Sequence, residues 1–313
     1  MEIILQVVLL AAGFVMLIKG AGWFVDGAAG IATRLGIPQL VIGLTIVAMG
    51  TSAPEAAVSI SAAIKGSADI TIGNIVGSNI LNIFIILGLS AVITTLAVAK
   101  STIKYEIPFM IFVTLLLMFQ GRDGVVTFAE GIVLWVMFLI YLGYLFILAR
   151  KDQQEGAEEE NKKTKDISVP KGILLIVIGL ALIIAGSSIA VDAATELARA
   201  FGLSERFIGL TIVALGTSLP ELFTSVSAAR KGNADIAIGN IVGSNIFNIL
   251  FVVGTSALII PIHFAQPFMI DILVAIGAAF LLLVCCLPKK KIGKLSGVLL
   301  LAGYAAYFAL VLL

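Results

Sequence analysis

Two acidic residues of this 313-residue chain, Glu55 and Glu221, lie in the middle of long apolar segments. A charged side chain at the centre of a bilayer costs about 2.5–3.5 kcal/mol on insertion scales. Nearly every Lys and Arg lies between the apolar segments or near their ends, and Lys19, the exception, is expected to reach the membrane interface with its amino group. The two carboxylates therefore need a metal ion or a proton from solution, unless they face a water-filled vestibule.

Oxygen-bearing side chains accompany the glutamates at helical spacing. Thr51 and Ser52 precede Glu55 by four and three residues, so all three share one face of a helix. The next helix of each half carries a serine and an asparagine four residues apart: Ser78 and Asn82, and Ser244 and Asn248. Ca²⁺ takes about 6–8 oxygen ligands, and this set offers oxygen without thiolate or imidazole. We therefore predict a Ca²⁺ site, with Asn74 and Asn240 supporting it from behind the ligands.

Pro54 and Pro220 interrupt the two helices that carry the glutamates. Proline has no backbone N–H, so the carbonyl four residues earlier loses its helical donor. The neighbouring carbonyls can then point away from the helix axis, from Ala48 to Thr51 and from Ala214 to Thr217. Irregular backbone at membrane depth is tolerated where it is buried in protein or lines a cavity, and transporters use such carbonyls to bind Na⁺.

An internal repeat contains all of these residues. Segments 43–92 and 209–258 align without a gap, and 34 of their 50 positions are identical. The run Gly73–Ile80 recurs unchanged at Gly239–Ile246. The alternative interpretation, without a functional site, is a gene duplication. Its shared glycines, spaced four apart, then serve close helix packing. That interpretation accounts for the glycines and leaves the shared polar residues unexplained.

Composition indicates a membrane protein. The chain is 60% hydrophobic, 12% of its residues are charged, and its mean hydropathy is +1.14. A soluble domain carries about 25% charged residues. Ten apolar segments are each long enough to cross a hydrocarbon core of about 30 Å. They lie at about 3–24, 40–64, 69–95, 104–120, 125–149, 171–197, 206–230, 235–261, 267–288 and 295–313. We predict an all-α integral membrane fold of ten transmembrane helices.

A polar stretch divides these helices into two groups of five. The predicted organisation is a first half over 1–149, a linker over 150–170 and a second half over 171–313, with one repeat copy in each half. Because five is odd, the second half must enter the membrane from the opposite side. Inverted five-helix repeats of this kind are typical of secondary transporters, whose substrate site lies near the bilayer midplane between the halves.

The distribution of basic residues predicts the orientation. With the N-terminus outside, fifteen Lys and Arg residues fall in inner loops and four in outer loops. Basic residues favour the cytoplasmic side. We expect a multi-pass protein of the cell membrane with both termini outside and the linker 150–170 in the cytoplasm. Its predicted partners are the lipid bilayer and inorganic cations. The net charge of +1 implies no nucleic acid, and no protein partner is predicted.

Segments Gly50–Glu55 and Gly73–Asn82, with their second copies, closely resemble the sodium/calcium exchanger family, in particular its compact microbial members. The resemblance implies twelve ion-binding residues: Ala48, Thr51, Ser52, Glu55, Ser78, Asn82, Ala214, Thr217, Ser218, Glu221, Ser244 and Asn248. It also implies that Ca²⁺ and several Na⁺ compete for overlapping ligands while the long first and sixth helices slide across the bundle. This chain departs from several members by carrying Asn248 where they have Asp, which argues against K⁺ dependence.

The predicted function is a secondary active antiporter that exchanges Ca²⁺ for Na⁺ by alternating access. An H⁺/Ca²⁺ antiporter is a second hypothesis, because a carboxylate binds either a cation or a proton. A passive cation channel is a third. An enzyme is not expected, since a nucleophile would need a base and the single histidine, His263, lies in a short outer loop. No cofactor is predicted beyond the transported ions, Ca²⁺ and Na⁺, with H⁺ in the second hypothesis.

Overall fold

The computed structural model describes residues 2–66, 69–154, 167–202 and 214–312. Fifteen α-helical segments are found in these ranges: α1 Glu2–Leu35, α2 Gln39–Ile42, α3 Ala48–Thr51, α4 Ala53–Ile64, α5 Asp69–Leu81, α6 Gly88–Ile93, α7 Ile107–Gln120, α8 Phe128–Gln154, α9 Val169–Ala200, α10 Ala214–Thr217, α11 Leu219–Arg230, α12 Ala234–Phe247, α13 Gly254–Ile259, α14 Gln266–Cys286 and α15 Lys294–Leu312. Four wider π-helical turns connect or begin helices: Gly43–Val47, Thr102–Glu106, Asn82–Leu87 and Asn248–Val253. A short 3₁₀ turn, Gly121–Asp123, follows α7.

The all-helical membrane fold is confirmed. Among the described residues, seven helices are long and apolar enough to cross a bilayer, and the bent pair Gln39–Thr51 and Ala53–Ile64 makes an eighth span. The shorter apolar helix Lys294–Ala309 corresponds to the last predicted span. The seventh predicted span, 206–230, is described only from Ala214 onward, so its first part lies outside the described residues.

Two predicted boundaries differ from the structure. The first helix was expected to end near residue 24, yet α1 continues to Leu35. The expectation was wrong because a charge was taken as a helix end, whereas the Asp26 carboxylate bonds Lys231 Nζ at 2.7 Å and the helix runs on. The non-helical segment is also shorter than the predicted linker 150–170, because α8 continues to Gln154 and α9 begins at Val169. Residues 155–166 lie outside the described part.

The second helices of the two repeats form the centre of the molecule. The apolar window of Ala234–Ile259 is 94% buried within the protein, and that of Ile70–Ile93 is 78% buried. By contrast, the window of Phe128–Arg150 is only 22% buried, which leaves most of its apolar surface for lipid. The repeated segments are therefore surrounded by protein, and the outer helices separate them from the bilayer.

Helices α1 and α9 pack against each other along a row of glycines spaced seven residues apart. A Cβ at Gly13, Gly20 or Gly27 would lie 2.8, 2.8 or 2.6 Å from a backbone carbonyl oxygen of α9. Those carbonyls belong to glycines that run in the opposite order: Gly186, Gly179 and Gly172. Only glycine allows this close approach of two backbones. The two long helices therefore form one antiparallel pair.

Two short strand pairs join the halves outside the helices. Strand β1 (Leu96–Ala97) pairs antiparallel with β4 (Lys291–Ile292). Strand β2 (Val125–Val126) pairs in the same way with β3 (Ile262–His263). Each pair takes one strand from each half, and the repeat offset exchanges the two pairs. The strands thus follow the same two-fold relation as the sequence repeat.

We expect Gly20→Val to destabilise the protein, because the new side chain would collide with the carbonyl of Gly179. Overpacking of this kind costs about 1–3 kcal/mol. The midpoint of thermal unfolding in detergent measures the effect. Gly277→Val is the matched control, since Gly277 lies in α14 with open space around its Cβ position. Equal midpoints for the two variants would contradict the close packing of α1 and α9.

Candidate cation site

The two glutamate-bearing helices are broken, as the prolines predict. In the first half the axis turns by 50° between Gln39–Thr51 and Ala53–Ile64, with Ser52 at the break. Ser218 occupies the same place between α10 and α11. Glu55 and Glu221 consequently lie in the first turn of a helix that starts inside the membrane. The partial positive charge of a helix N-terminus favours a carboxylate there, which the sequence analysis did not foresee.

Both carboxylates are buried without a basic partner. Glu55 and Glu221 are each 1% exposed, and neither pairs with a Lys or Arg anywhere in the described ranges. One oxygen of Glu221 accepts a hydrogen bond from Ser52 Oγ at 2.8 Å. Burial at this level excludes the interpretation in which the glutamates face a wide, water-filled vestibule in this conformation.

Six oxygens of the predicted ligands are buried and lack a hydrogen-bond partner within the described part of the chain: Glu55 Oε1 and Oε2, Glu221 Oε2, Asn82 Oδ1, Asn248 Oδ1 and Thr217 Oγ1. Buried polar atoms are normally satisfied, and each exception needs an explanation. A divalent cation with about 6–8 oxygen ligands supplies one. The donor set contains carboxylate, amide and hydroxyl oxygen, which suits a hard cation such as Ca²⁺.

Predicted ligands of the two halves contact each other directly. Besides the Ser52–Glu221 bond, Ser218 Oγ lies 3.5 Å from Ser78 Oγ. Ser244 Oγ donates to the carbonyl of Ala48 at 3.4 Å. Ser52, Ser78, Ser218 and Ser244 are each at most 3% exposed. The tertiary structure therefore brings together residues of the two halves that are 140 to 196 positions apart.

Asn74 and Asn240, which the sequence analysis proposed as supporting residues, hydrogen-bond the glutamate-bearing helices. Asn74 Nδ2 donates to the Glu55 carbonyl at 3.3 Å, and Asn240 Nδ2 donates to the Glu221 carbonyl at 3.4 Å. Each amide also donates to a serine hydroxyl at 2.9 Å, Ser59 in one half and Ser225 in the other. Neither serine was identified from the sequence, although both lie four residues after a glutamate and recur in the repeat.

The backbone carbonyls follow the prediction only in part. The carbonyl of Ala48 was expected to point away from its helix, yet it accepts the Ser52 N–H at 3.0 Å. The reason is that the helix breaks at Ser52, one turn after Ala48, so that the Ala48 carbonyl keeps its helical hydrogen bond. In the second half the Gly216 carbonyl accepts a hydrogen bond from Ser187 Oγ of α9 at 2.8 Å. Ala214 begins α10, and its side chain lies outside the described set.

The widest turns of the central helices begin at predicted ligands. π-helical turns run over Asn82–Leu87 and Asn248–Val253, directly after α5 and α12. Such turns recur at functional sites because the extra residue per turn displaces backbone and side chains. The sequence carried one signal for them, the asparagine that recurs at Asn82 and Asn248 two residues after the identical run of the two repeats. A helical pattern alone does not distinguish a π turn from an α turn.

A third buried carboxylate lies outside this site and was missed by the sequence analysis. Glu106 is 1% exposed, and its carboxyl group hydrogen-bonds the Tyr144 hydroxyl. In the second half Tyr307 OH donates to Asp271 Oδ1 at 2.9 Å in a similar position. Glu106 was overlooked because it lies only two residues inside a predicted span. Each of these carboxylates has a tyrosine of a neighbouring helix as partner.

The fold and site define a class of protein: a multi-pass membrane protein with two repeats that enclose a buried cluster of oxygen-bearing side chains. The comparison with protein families gives the same result, because the family model described as sodium/calcium exchanger protein matches residues 5–147 and 171–313. The chain belongs to the sodium/calcium exchanger protein family. The family is one of membrane exchangers.

Individual relatives match nearly the whole chain. It is 41% identical to the CaxA protein of Alkalimonas amylolytica, covering 94% of this chain and 95% of the relative. It is 32% identical to the sodium/calcium exchanger MaX1 of Methanosarcina acetivorans, covering 96% of each chain. Among solved structures, the sodium-calcium exchanger NCX_Mj in 2.5 mM Na⁺ and 10 mM Sr²⁺ superimposes with a TM-score of 0.85 at 34% identity. That match covers 98% of this chain and 99% of NCX_Mj.

We expect Ca²⁺ to raise the thermal unfolding midpoint of the purified protein, because a ligand that binds only the folded state stabilises it. At 100 times the dissociation constant the gain is about 2.7 kcal/mol. Glu55→Gln should abolish this gain. Glu106→Gln is the matched control, since Glu106 is equally buried and lies outside the site. If Glu55→Gln kept the full Ca²⁺ effect, Glu55 would not be a ligand.

Proposed function

We propose that the protein is a secondary active antiporter that exchanges Ca²⁺ for Na⁺ across the membrane. The observation that carries the proposal is the pair Glu55 and Glu221, buried between the two halves without a basic partner in the described structure. Two ionised carboxylates balance the charge of one Ca²⁺. The same oxygens suit Na⁺, so that the two ions compete for one site. Binding of either ion removes the cost of leaving two carboxylates uncompensated in the membrane.

The proposed ligands are the twelve residues expected from the family resemblance. Glu55 and Glu221 supply charge, and Asn82 and Asn248 supply amide oxygen. The remaining eight supply hydroxyl or carbonyl oxygen: Ala48, Thr51, Ser52, Ser78, Ala214, Thr217, Ser218 and Ser244. Supporting this assignment, six oxygens from five of the twelve are buried and unpaired within the described ranges.

Alternating access follows from the antiport proposal, because one site must open to each side in turn. The glycine-packed pair α1 and α9 is the element proposed to move against the rest. Lys231, directly after α11, holds α1 through Asp26 and the carbonyl of Gly22, at 2.7 and 2.6 Å. Sliding of α1 along the bundle has to break these two contacts. The repeat places Lys65 and Asp192 at the corresponding positions of the other half.

The protein is proposed to lie in the cell membrane. Both termini are then outside the cell, and the linker 150–170 is in the cytoplasm. The halves 1–149 and 171–313 then have opposite orientations. The excess of basic residues in the inner loops supports this arrangement. Lys231, which directly follows Arg230 at the end of α11, would accordingly act at the cytoplasmic end of the bundle.

Exchange of Ca²⁺ for H⁺ is the second candidate function. Neither carboxylate oxygen of Glu55 has a hydrogen-bond partner in the described structure. Because a proton would neutralise this carboxylate, the observation favours coupling to H⁺. Protons need only the carboxylates. Na⁺ also needs the surrounding hydroxyl oxygens, and the chain places Ser52 Oγ beside Glu221 and Ser218 Oγ beside Ser78 Oγ. This favours Na⁺ as the coupling ion.

The decisive experiment measures ⁴⁵Ca²⁺ uptake into proteoliposomes loaded with Na⁺, with the pH equal on both sides. We expect uptake that requires the outward Na⁺ gradient and disappears with choline inside. Glu55→Gln and Glu221→Gln should each reduce uptake to background while the protein still folds, because each removes a charge that binds the ion. Gln120→Leu, a substitution of a buried amide in α7, is the control expected to retain uptake.

The alternatives predict other results in the same vesicles. Uptake that ignores Na⁺ but follows an inside-acid gradient would assign the protein to H⁺/Ca²⁺ exchange. Uptake at channel rates without any counter-ion gradient would establish a passive channel. Normal exchange by both glutamate variants would refute the site.

We expect Ser78→Ala combined with Ser244→Ala to weaken the Na⁺ dependence of exchange more than Ca²⁺ binding. The reason is that the carboxylates dominate binding of a divalent ion, whereas Na⁺ depends on neutral oxygens. The measurement is the Na⁺ concentration for half-maximal exchange beside the Ca²⁺ dissociation constant of the same protein. Equal losses for both ions would contradict separate Na⁺ positions.

A further inference from the structure

Two asparagines outside the proposed ligand set form a reciprocal link at the centre of the protein. Asn79 and Asn245 each lie three residues before a proposed ligand asparagine, and they are 3% and 1% exposed. Asn79 Nδ2 donates to the main-chain carbonyl of Asn245 at 3.2 Å, and Asn245 Nδ2 donates to the carbonyl of Asn79 at 3.2 Å. The two bonds obey the two-fold relation between the halves and join α5 to α12.

These bonds fix the direction of both amides. A main-chain carbonyl can only accept a hydrogen bond, so Asn79 and Asn245 must turn their NH₂ groups toward it. Their Oδ1 atoms then face the other way, toward the ligand asparagines of the opposite half. Asn79 Oδ1 accepts from Asn248 Nδ2 at 3.1 Å, and Asn245 Oδ1 accepts from Asn82 Nδ2 at 2.9 Å.

The amide orientation of Asn79 and Asn245 fixes the amide orientation of the ligands Asn248 and Asn82 in the same way. An amide oxygen also only accepts, so Asn82 and Asn248 must present their NH₂ groups to Asn245 and Asn79. The Oδ1 atoms of Asn82 and Asn248 therefore point away from these hydrogen bonds. Both Oδ1 atoms are buried and have no hydrogen-bond partner in the described part of the structure. The chain of donors and acceptors therefore starts at a backbone carbonyl and ends at a free amide oxygen.

The direction matters because the two ends of an amide have nearly the same size and opposite polarity. An oxygen end attracts a cation, whereas an NH₂ end repels it. Without a partner of fixed polarity, Asn82 or Asn248 could rotate its amide and present NH₂ to the ion. Partners behind metal ligands that fix their orientation change metal affinity by about 10–100-fold when they are removed.

We propose that Asn79 and Asn245 are positioning residues that fix the amide direction of Asn248 and Asn82, so that the site presents amide oxygen to the cation. The inference rests on the proposed function of this site as a Ca²⁺ site. Each positioning residue acts on the ligand of the other half. The two halves therefore depend on each other for the polarity of their ligands.

The test measures equilibrium binding of ⁴⁵Ca²⁺ to purified protein in detergent, without any ion gradient. We expect Asn79→Leu and Asn245→Leu each to raise the Ca²⁺ dissociation constant about tenfold or more. Leucine has a similar volume and no polar end. Gln120→Leu is the matched control, because Gln120 is a buried amide that donates to the Glu130 carbonyl outside the site. It should lose stability without losing affinity.

A rescue distinguishes positioning from a merely structural role. A carboxylate presents oxygen at both ends, so Asn248→Asp makes the direction irrelevant. Asn248→Asp should therefore increase Ca²⁺ affinity more in the Asn79→Leu protein than in the otherwise unchanged protein, where Asn79 Oδ1 faces the new carboxylate. If Asn79→Leu does not fold, the smaller Asn79→Ser provides the same background. Asn82→Asp with Asn245→Leu repeats the test in the other half.

Two results would overturn the inference: a dissociation constant within twofold of wild type for the leucine variants, or an equal effect of Asn248→Asp in both backgrounds. The proposed antiport is judged separately, by Na⁺-driven uptake of the wild-type protein. The purified wild-type protein could bind Ca²⁺, and the variants could change that binding as expected, while vesicles with the wild-type protein show no Na⁺-driven uptake. That combination would sustain the inference and reject Na⁺ coupling.

Discussion

The structure depends on one electrostatic constraint, two carboxylates buried at membrane depth without a basic residue to neutralise them in the described chain. Glu55 and Glu221 are 1% exposed, and burial of an unpaired charge costs several kcal/mol. The helix breaks at Ser52 and Ser218 place each carboxylate at a helix N-terminus, which offsets part of this cost. In the proposed function, an ion from solution offsets the remainder, so that the site is stabilised by the cation it binds.

The repeats are nearly identical in sequence, yet the two halves of the site differ in contacts. Ser52 donates to Glu221, whereas both oxygens of Glu55 lack a hydrogen-bond partner in the described structure. Thr51 Oγ1 lies 3.0 Å from Asn240 Oδ1, whereas the hydroxyl of Thr217 has no such bond there. An inverted repeat in one conformation must be asymmetric if access alternates, because the opposite conformation exchanges the roles of the halves.

The carboxylates within the apolar helices have two different kinds of surroundings in this protein. Glu106 and Asp271 each have a tyrosine partner from a neighbouring helix, which satisfies one carboxyl oxygen inside the protein. Glu55 has no such partner within the described ranges. A tyrosine partner from a neighbouring helix therefore distinguishes Glu106 and Asp271 from the two glutamates of the proposed site. Of those two, Glu221 accepts a hydrogen bond from Ser52 Oγ, and Glu55 accepts none from the described residues. Burial alone does not make this distinction, since Glu55 and Glu106 are equally buried.

The sequence by itself determined the membrane-spanning helices and the helix breaks, because apolar length and proline are local properties of the chain. It also predicted the ligand types and the supporting role of Asn74 and Asn240 from the repeated polar residues. Only the tertiary structure decided which oxygens stay unpaired and how α1 extends past Asp26. It alone revealed the reciprocal bonds of Asn79 and Asn245. These features depend on contacts between residues more than 100 positions apart, and the direction of an amide is set by its neighbours in space.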